Sequence, residues 1–185
     1  MEYDLGEEAK PMICVALYTP HWIVRGNLRT AVPMRLSDLL NNWDKNFVPV
    51  EEARVIDLGD ARIEGVSEGE LLAVALEDIL MAHEIPLPET QSVKTASAEM
   101  RVQKQPESVR VWVGPYRAEG AVHLPQLVDV MGYVERITES FLPLTSATIE
   151  PPASSHLGKV GVSFVLVNRH RLLLHRLVPK ESPEE

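Results

Sequence analysis

The chain has 185 residues, 45% hydrophobic and 24% charged. That is an ordinary globular composition, sized for one large domain or two small ones. No apolar run approaches the roughly 20 residues of a membrane-spanning helix, and the acidic first ten residues lack the apolar core of a secretory signal. The single cysteine, Cys14, excludes an intrachain disulfide and a cysteine-rich zinc site, so the expected setting is the cytoplasm.

The net charge of −9 is unevenly spread. Residues 1–92 hold 7 Lys+Arg against 17 Asp+Glu, whereas residues 93–185 hold 11 against 10. The acidic first half repels phosphate backbones, because nucleic-acid affinity rests largely on Lys and Arg neutralising phosphates.

In chain order, Ile13, Val15 and Leu17 alternate as in a strand with one buried face. Thr19-Pro20-His21 break it, since proline fixes φ and removes a donor. A second strand carries Gly26, and a glycine inside a strand marks a bend, a bulge or a close approach. Leu36, Leu39 and Leu40 stand at i, i+3, i+4, one face of a helix. After the helix, FVPV at 47–50 places Phe47 as a core plug and Pro49 as a stiff lead-in to a third strand. Val74 and Leu76, then Leu80, serve two further strands around a turn at Glu77-Asp78.

The second half repeats this order. Val111 and Val113 alternate, Gly114-Pro115 turn, and Gly120 sits in the following strand. Pro125 suits a first helical turn, with Leu127, Val128, Met131 and Val134 as the apolar stripe. FLPL at 141–144 then places Phe141 and Pro143 as Phe47 and Pro49 are placed. Phe164 and Leu166, then Leu172 and Leu174, flank a turn at Arg169-His170. Gly26 and Gly120, Trp22 and Tyr116, Phe47 and Phe141, and Pro49 and Pro143 are all 94 residues apart, while His83 and His175 are 92 apart.

The expected fold is mainly β with helices (α+β): tandem duplicated small five-stranded Sm-like or SH3-like barrels, each β-β-α-β-β-β. The boundaries are a flexible tail at 1–11, a first barrel at 12–86, a linker or long loop at 87–107, a second barrel at 108–178 and a disordered tail at 179–185. The linker is rich in Pro, Ser, Thr, Gln and charge. Units of roughly 70 residues are near the lower limit for a self-sufficient core, so they are expected to pack together or to oligomerise.

GNL at 26–28, RLSDLLNN at 35–42, FVPV at 47–50 and FVLVNR at 164–169 together resemble an uncharacterised bacterial domain family, here in tandem. The resemblance implies no activity. More distantly, five short strands with a glycine in the second are similar to an Sm-like barrel, which implies RNA binding and ring assembly. The RNA-contacting loop motifs of that family are not visible here.

The sequence contains no H-E-x-x-H or paired Cys/His pattern among its six histidines and no G-x-S-x-G elbow. Neighbouring Ser155 and His156 point to opposite faces of an extended segment, which is poor geometry for a nucleophile and its base. Cys14 reads as a small buried hydrophobe, and the acid-rich run at 51–70 as a solvated loop. No catalytic residue, metal ligand or cofactor is assigned.

The only concentrated basic stretch is residues 168–176. Arg169, His170, Arg171 and Arg176 are its candidates for phosphate or partner contact, the alternative being a charge-protected edge strand. The leading reading is a non-catalytic interaction or assembly module, with a protein partner or self-association favoured over nucleic acid, and no membrane. The alternatives are RNA or single-stranded nucleic-acid binding through the basic hairpin, and a small-ligand sensor or enzyme at the cleft between the units.

Overall fold

The structure, a computed structural model, describes residues 11–67, 69–86 and 104–177. The first half comprises β1 (Met12–Tyr18), β2 (Trp22–Arg29), α1 (Leu36–Asn41), β3 (Phe47–Asp57), β4 (Ile63–Gly65), β5 (Leu71–Ala75), a 3-10 turn (Leu76–Asp78) and β6 (Met81–Glu84). The second comprises β7 (Lys104–Val113), β8 (Tyr116–Pro125), α2 (Val130–Arg136), β9 (Phe141–Glu150), β10 (Val160–Asn168) and β11 (Leu172–Arg176). Strand β7 begins at Lys104, inside the stretch expected to be linker. The remainder of that stretch and both tails lie outside the described residues, apart from Pro11.

The expected pair of five-stranded barrels is not what forms. All eleven strands join one antiparallel sheet in the order β11-β7-β8-β9-β10-β6-β1-β2-β3-β4, with β5 also on β3. To close a barrel, the last two strands of a half would have to pair, β5 with β6 or β10 with β11. Instead β6 pairs with β1 and with β10 of the other half, and β11 pairs with β7. The last strand of the first half therefore receives the fourth strand of the second, and the sheet runs on instead of closing.

Within this sheet the two halves have the same pairing order, β6-β1-β2-β3-β5 and β11-β7-β8-β9-β10. Their registers agree as well. In β2 and β3, Arg25 opposes Arg54 and Asn27 opposes Glu51, with a bulge between. In β8 and β9, Glu119 opposes Thr148 and Ala121 opposes Thr145, with a bulge at the same place. The bulge glycines meet the same backbone. A Cβ on Gly26 would lie 2.6 Å from the Glu51 carbonyl oxygen and 3.2 Å from Ala53 Cα. On Gly120 it would lie 3.0 Å from the Thr145 carbonyl oxygen and 3.3 Å from Ala147 Cα. Glu52 and Ser146, between those contacts, both have positive φ, at 50° and 49°.

The middle of the sheet is apolar on both faces, which alternation alone did not foretell. In β1, Val15 and Leu17 enter a core with α1, β3 and Ile79, while Ala16 and Tyr18 enter a second core with the buried residues of β7 and β8 and most of those of β9. Met81 and Ala82 divide in the same way, as do Val165 and Leu166. Each core therefore takes residues from both halves. Phe141 and Leu166 belong to the first half's core, and Tyr18, Ile23 and Met81 to the second's.

Helix α1 buries Leu36, Leu39 and Leu40, the stripe read from the sequence. Helix α2 starts later than expected. Pro125 is the last residue of β8, opposite Lys104, and Leu127 is fully exposed with φ 65°. The helix is capped by the Asp129 side chain, which accepts from Gly132 N at 2.7 Å. Its inner face is Val130, with Tyr133, Val134 and Ile137 packed against the core; Met131 is exposed.

The prolines do stand in strands. Asn46 O accepts from Leu76 N, so alternate residues of β3 face β5 and the missing N–H of Pro49 falls on the opposite side. Strand β2 joins that side only from Glu51. Pro143 is placed alike, since Ser140 O accepts from Arg169 N.

Candidate functional site

The seam between the halves is filled with side chains. Tyr18 and Tyr116 meet edge to face at 5.3 Å, and the Tyr116 hydroxyl donates to Thr19 O at 3.0 Å. Asn168 donates through its side chain to Ile79 O at 3.0 Å and through its backbone to Leu80 O at 2.9 Å. Behind Tyr18, the His83 ring bonds Glu84 O through Nδ1 at 3.0 Å, so Nδ1 carries the proton and Nε2 accepts from the Tyr18 hydroxyl at 3.1 Å. Burial lowers the His83 pKa and raises that of Tyr18 from 10.0 to about 12. Both are therefore neutral partners in a buried network.

Phe141 is the second half's plug in this seam. It is 1% exposed and sits in the first half's core. Its N–H and C=O point away from β10, and the Asn41 side chain answers both. Asn41 Oδ1 accepts from Phe141 N at 2.8 Å, and Nδ2 donates to Phe141 O at 3.4 Å. An amide side chain thus stands in for a neighbouring strand. Phe47 departs from its expected role. It occupies the equivalent position but is 56% exposed, because nothing among the described residues stands where α1 and β6 stand for Phe141. Its carbonyl accepts from Trp43 Nε1 at 3.1 Å. Trp22 likewise is largely exposed where Tyr116 is buried.

A cleft of about 580 Å³ opens at the rim of the seam, between Leu40, Asn41, Trp43 and Phe47 on one side and Phe141 and Arg171 on the other. Two of its polar lining residues, Asn41 and Asn168, already spend their side chains on backbone groups.

The basic candidates do not converge. Arg169 turns inward, with Nη1 donating to Val134 O at 3.3 Å and its buried Nε without a partner among the described residues. Arg176 pairs with Glu107 through two bonds of 3.0 Å. His170 and Arg171 line the cleft.

Other candidates are engaged in local structure. Ser155 is buried and donates to Pro152 O at 2.7 Å, while His156 is exposed. In the acidic run, Glu51 pairs with Arg29 through two bonds of 2.8 Å, Glu52 accepts from Asn27, and the Asp57 side chain caps the turn at Gly59. Cys14 is half-buried, not fully, and burial raises its pKa, which keeps the thiol protonated. Among the described residues no group of three His, Cys, Asp or Glu could hold a metal ion, and no helix is long and apolar enough to cross a membrane.

The sheet leaves two unlike edges. Among the described residues, β5 pairs only with β3 and β11 only with β7. Leu71 at the first edge is 61% exposed, and Leu173 at the second 73%. No family model, curated protein or solved structure matches the chain.

Proposed function

We propose that the chain is a non-catalytic interaction or assembly module, built from two copies of one unit, that engages a protein partner or itself by strand addition at its open sheet edges. The observation that carries this reading is the contrast between Phe141, sealed in the seam, and Phe47, exposed beside strand β5, which pairs only with β3 among the described residues. An apolar edge strand offers unpaired N–H and C=O groups and a place for side chains to bury, which is what strand addition uses. Strand β5, Leu-Leu-Ala-Val-Ala, carries no charge, proline or bulge to discourage pairing. A cytoplasmic setting is part of the proposal, since one cysteine offers no disulfide framework.

Nucleic-acid binding at the basic hairpin has less support. Arg169 and Arg176 are committed to protein groups, which leaves the hairpin with few cations for a phosphate track among the described residues.

A photo-crosslinking amino acid placed at Phe47, at Leu173 and, as a control away from any strand, at the exposed His156 tests the reading in cells expressing the chain. Protein adducts at the first two positions and not at His156 are expected. Adducts at neither would overturn it.

A further inference from the structure

We propose that copies of this chain join head to tail, with β5 of one copy adding antiparallel to β11 of the next and Phe47 seated against α2 of that neighbour. The inference rests on the edge-binding reading above and names its partner as a second copy. The template is the seam inside the molecule, where β10 lies beside β6. By register, β5 is the counterpart of β10: Phe47 opposes Ala75 as Phe141 opposes Asn168. In the same way β11 is the counterpart of β6: Leu17 opposes Ala82 as Val111 opposes Leu174. The two edges left bare among the described residues are therefore the two kinds of edge that already meet within the chain.

Their side chains fit that junction. Inside the molecule Leu166 faces Ala82, and Val167 faces Met81. The counterparts are Ala73 facing Leu174, and Val74 facing Leu173. The large and small residues of the first pair exchange sides, which conserves the volume to be filled. Phe164, packed on the first half's core, has Leu71 as its counterpart, exposed.

The receiving helix is similarly uncovered. Leu39 and Leu40 of α1, beside Phe141, are buried, whereas their counterparts on α2, Tyr133 and Val134, are only partly so. Asn41 corresponds to Glu135. The Phe47 carbonyl is already served by Trp43, so only its N–H needs an acceptor, and a carboxylate is an acceptor alone. The acidic first half would also meet the near-neutral second half of its neighbour, without the repulsion of two acidic halves. Such a contact joins two different surfaces, so it closes into rings or extends into filaments.

The test is light-scattering mass after size exclusion of the purified full chain and of two variants, Phe47→Asp and Leu173→Asp. Both substitutions are at exposed side chains, and circular dichroism and melting confirm that each variant folds. The wild-type chain should run as a multiple of 20.7 kDa, and each variant alone as a monomer. A 1:1 mixture of the two variants retains one intact β5 edge and one intact β11 edge, so it should form a species of twice the chain mass and no larger. A monomeric wild type overturns the proposal, as does a variant that keeps the wild-type mass or a mixture that stays monomeric. A monomeric wild type whose Phe47 and Leu173 positions still crosslink to another protein in cells would sink self-assembly alone and leave the edge-binding reading standing.

Discussion

Gly26 and Gly120 show how one absent side chain sets the path of a strand. A Cβ at Gly26 would sit 2.5 Å from Val50 Cγ1 and 2.6 Å from a backbone oxygen, whereas the nearest atoms at Gly120 are 3.0 and 3.1 Å away. Gly26→Ala should therefore cost about 1–3 kcal/mol by overpacking, and Gly120→Ala less, as read by chemical denaturation. The Tyr18–His83 pair makes stability depend on pH at both ends of the range. His83 has its pKa lowered from 6.5 by burial, against a partial rise from its bond to Glu84. The folded chain then binds fewer protons than the unfolded one just below that value. Its contribution holds above pH 6.5 and is lost as pH falls through the folded value. Tyr18 works in the opposite sense. Raised from 10.0 to about 12 by burial, it contributes fully below pH 10 and loses that contribution as pH rises toward 12. Denaturant midpoints at about pH 5, 7, 9 and 11 should show a plateau with both flanks falling. Tyr18→Phe should flatten part of the alkaline flank, with Tyr116, whose pKa burial also raises, keeping the rest.

At the scale of elements, the instructive pair is α1 with β9. Asn41→Ala removes the acceptor of the Phe141 N–H, and leaving that group unmet should cost about 1–3 kcal/mol. Phe141→Ala should cost about 3–5 kcal/mol, while Phe47→Ala, at an exposed side chain, should change monomer stability by less than about 0.5 kcal/mol. The same two phenylalanines show what a sequence can reveal. The helical stripe of Leu36, Leu39 and Leu40 and the glycine–bulge spacing are local patterns, and both can be read along the chain. The exposure of Phe47 depends on whether another half lies beside it, which no local pattern records. The β10–β6 pairing that replaces barrel closure links residues more than eighty positions apart, and each strand would read the same with either partner. The α2 boundary slipped because Pro125 suits the end of β8 as well as a helix start. Of the candidate site, the hairpin cations were visible as a run, but the inward turn of Arg169 onto Val134 was not.

For the whole molecule, the shared sheet implies a single cooperative unit. Thermal and denaturant unfolding followed by tryptophan fluorescence and by circular dichroism should coincide. A protease site inserted near Ser97 should, once cut, leave two fragments that co-elute, because β6 and β10 stay paired and each core holds side chains of the other half. The fragment 104–185 alone should be much less stable than the whole, lacking Ala16, Tyr18, Ile23, Leu80 and Met81 from its core.

That interdigitation also restricts how such a gene could be shuffled. A crossover between residues 87 and 103 looks harmless, since it separates two stretches of similar size and pattern. Yet a recombinant carrying one parental half and a diverged other half would have to match Tyr18 with Tyr116 and Asn41 with Phe141 afresh. Productive breakpoints should therefore be rare there unless those contacts travel together.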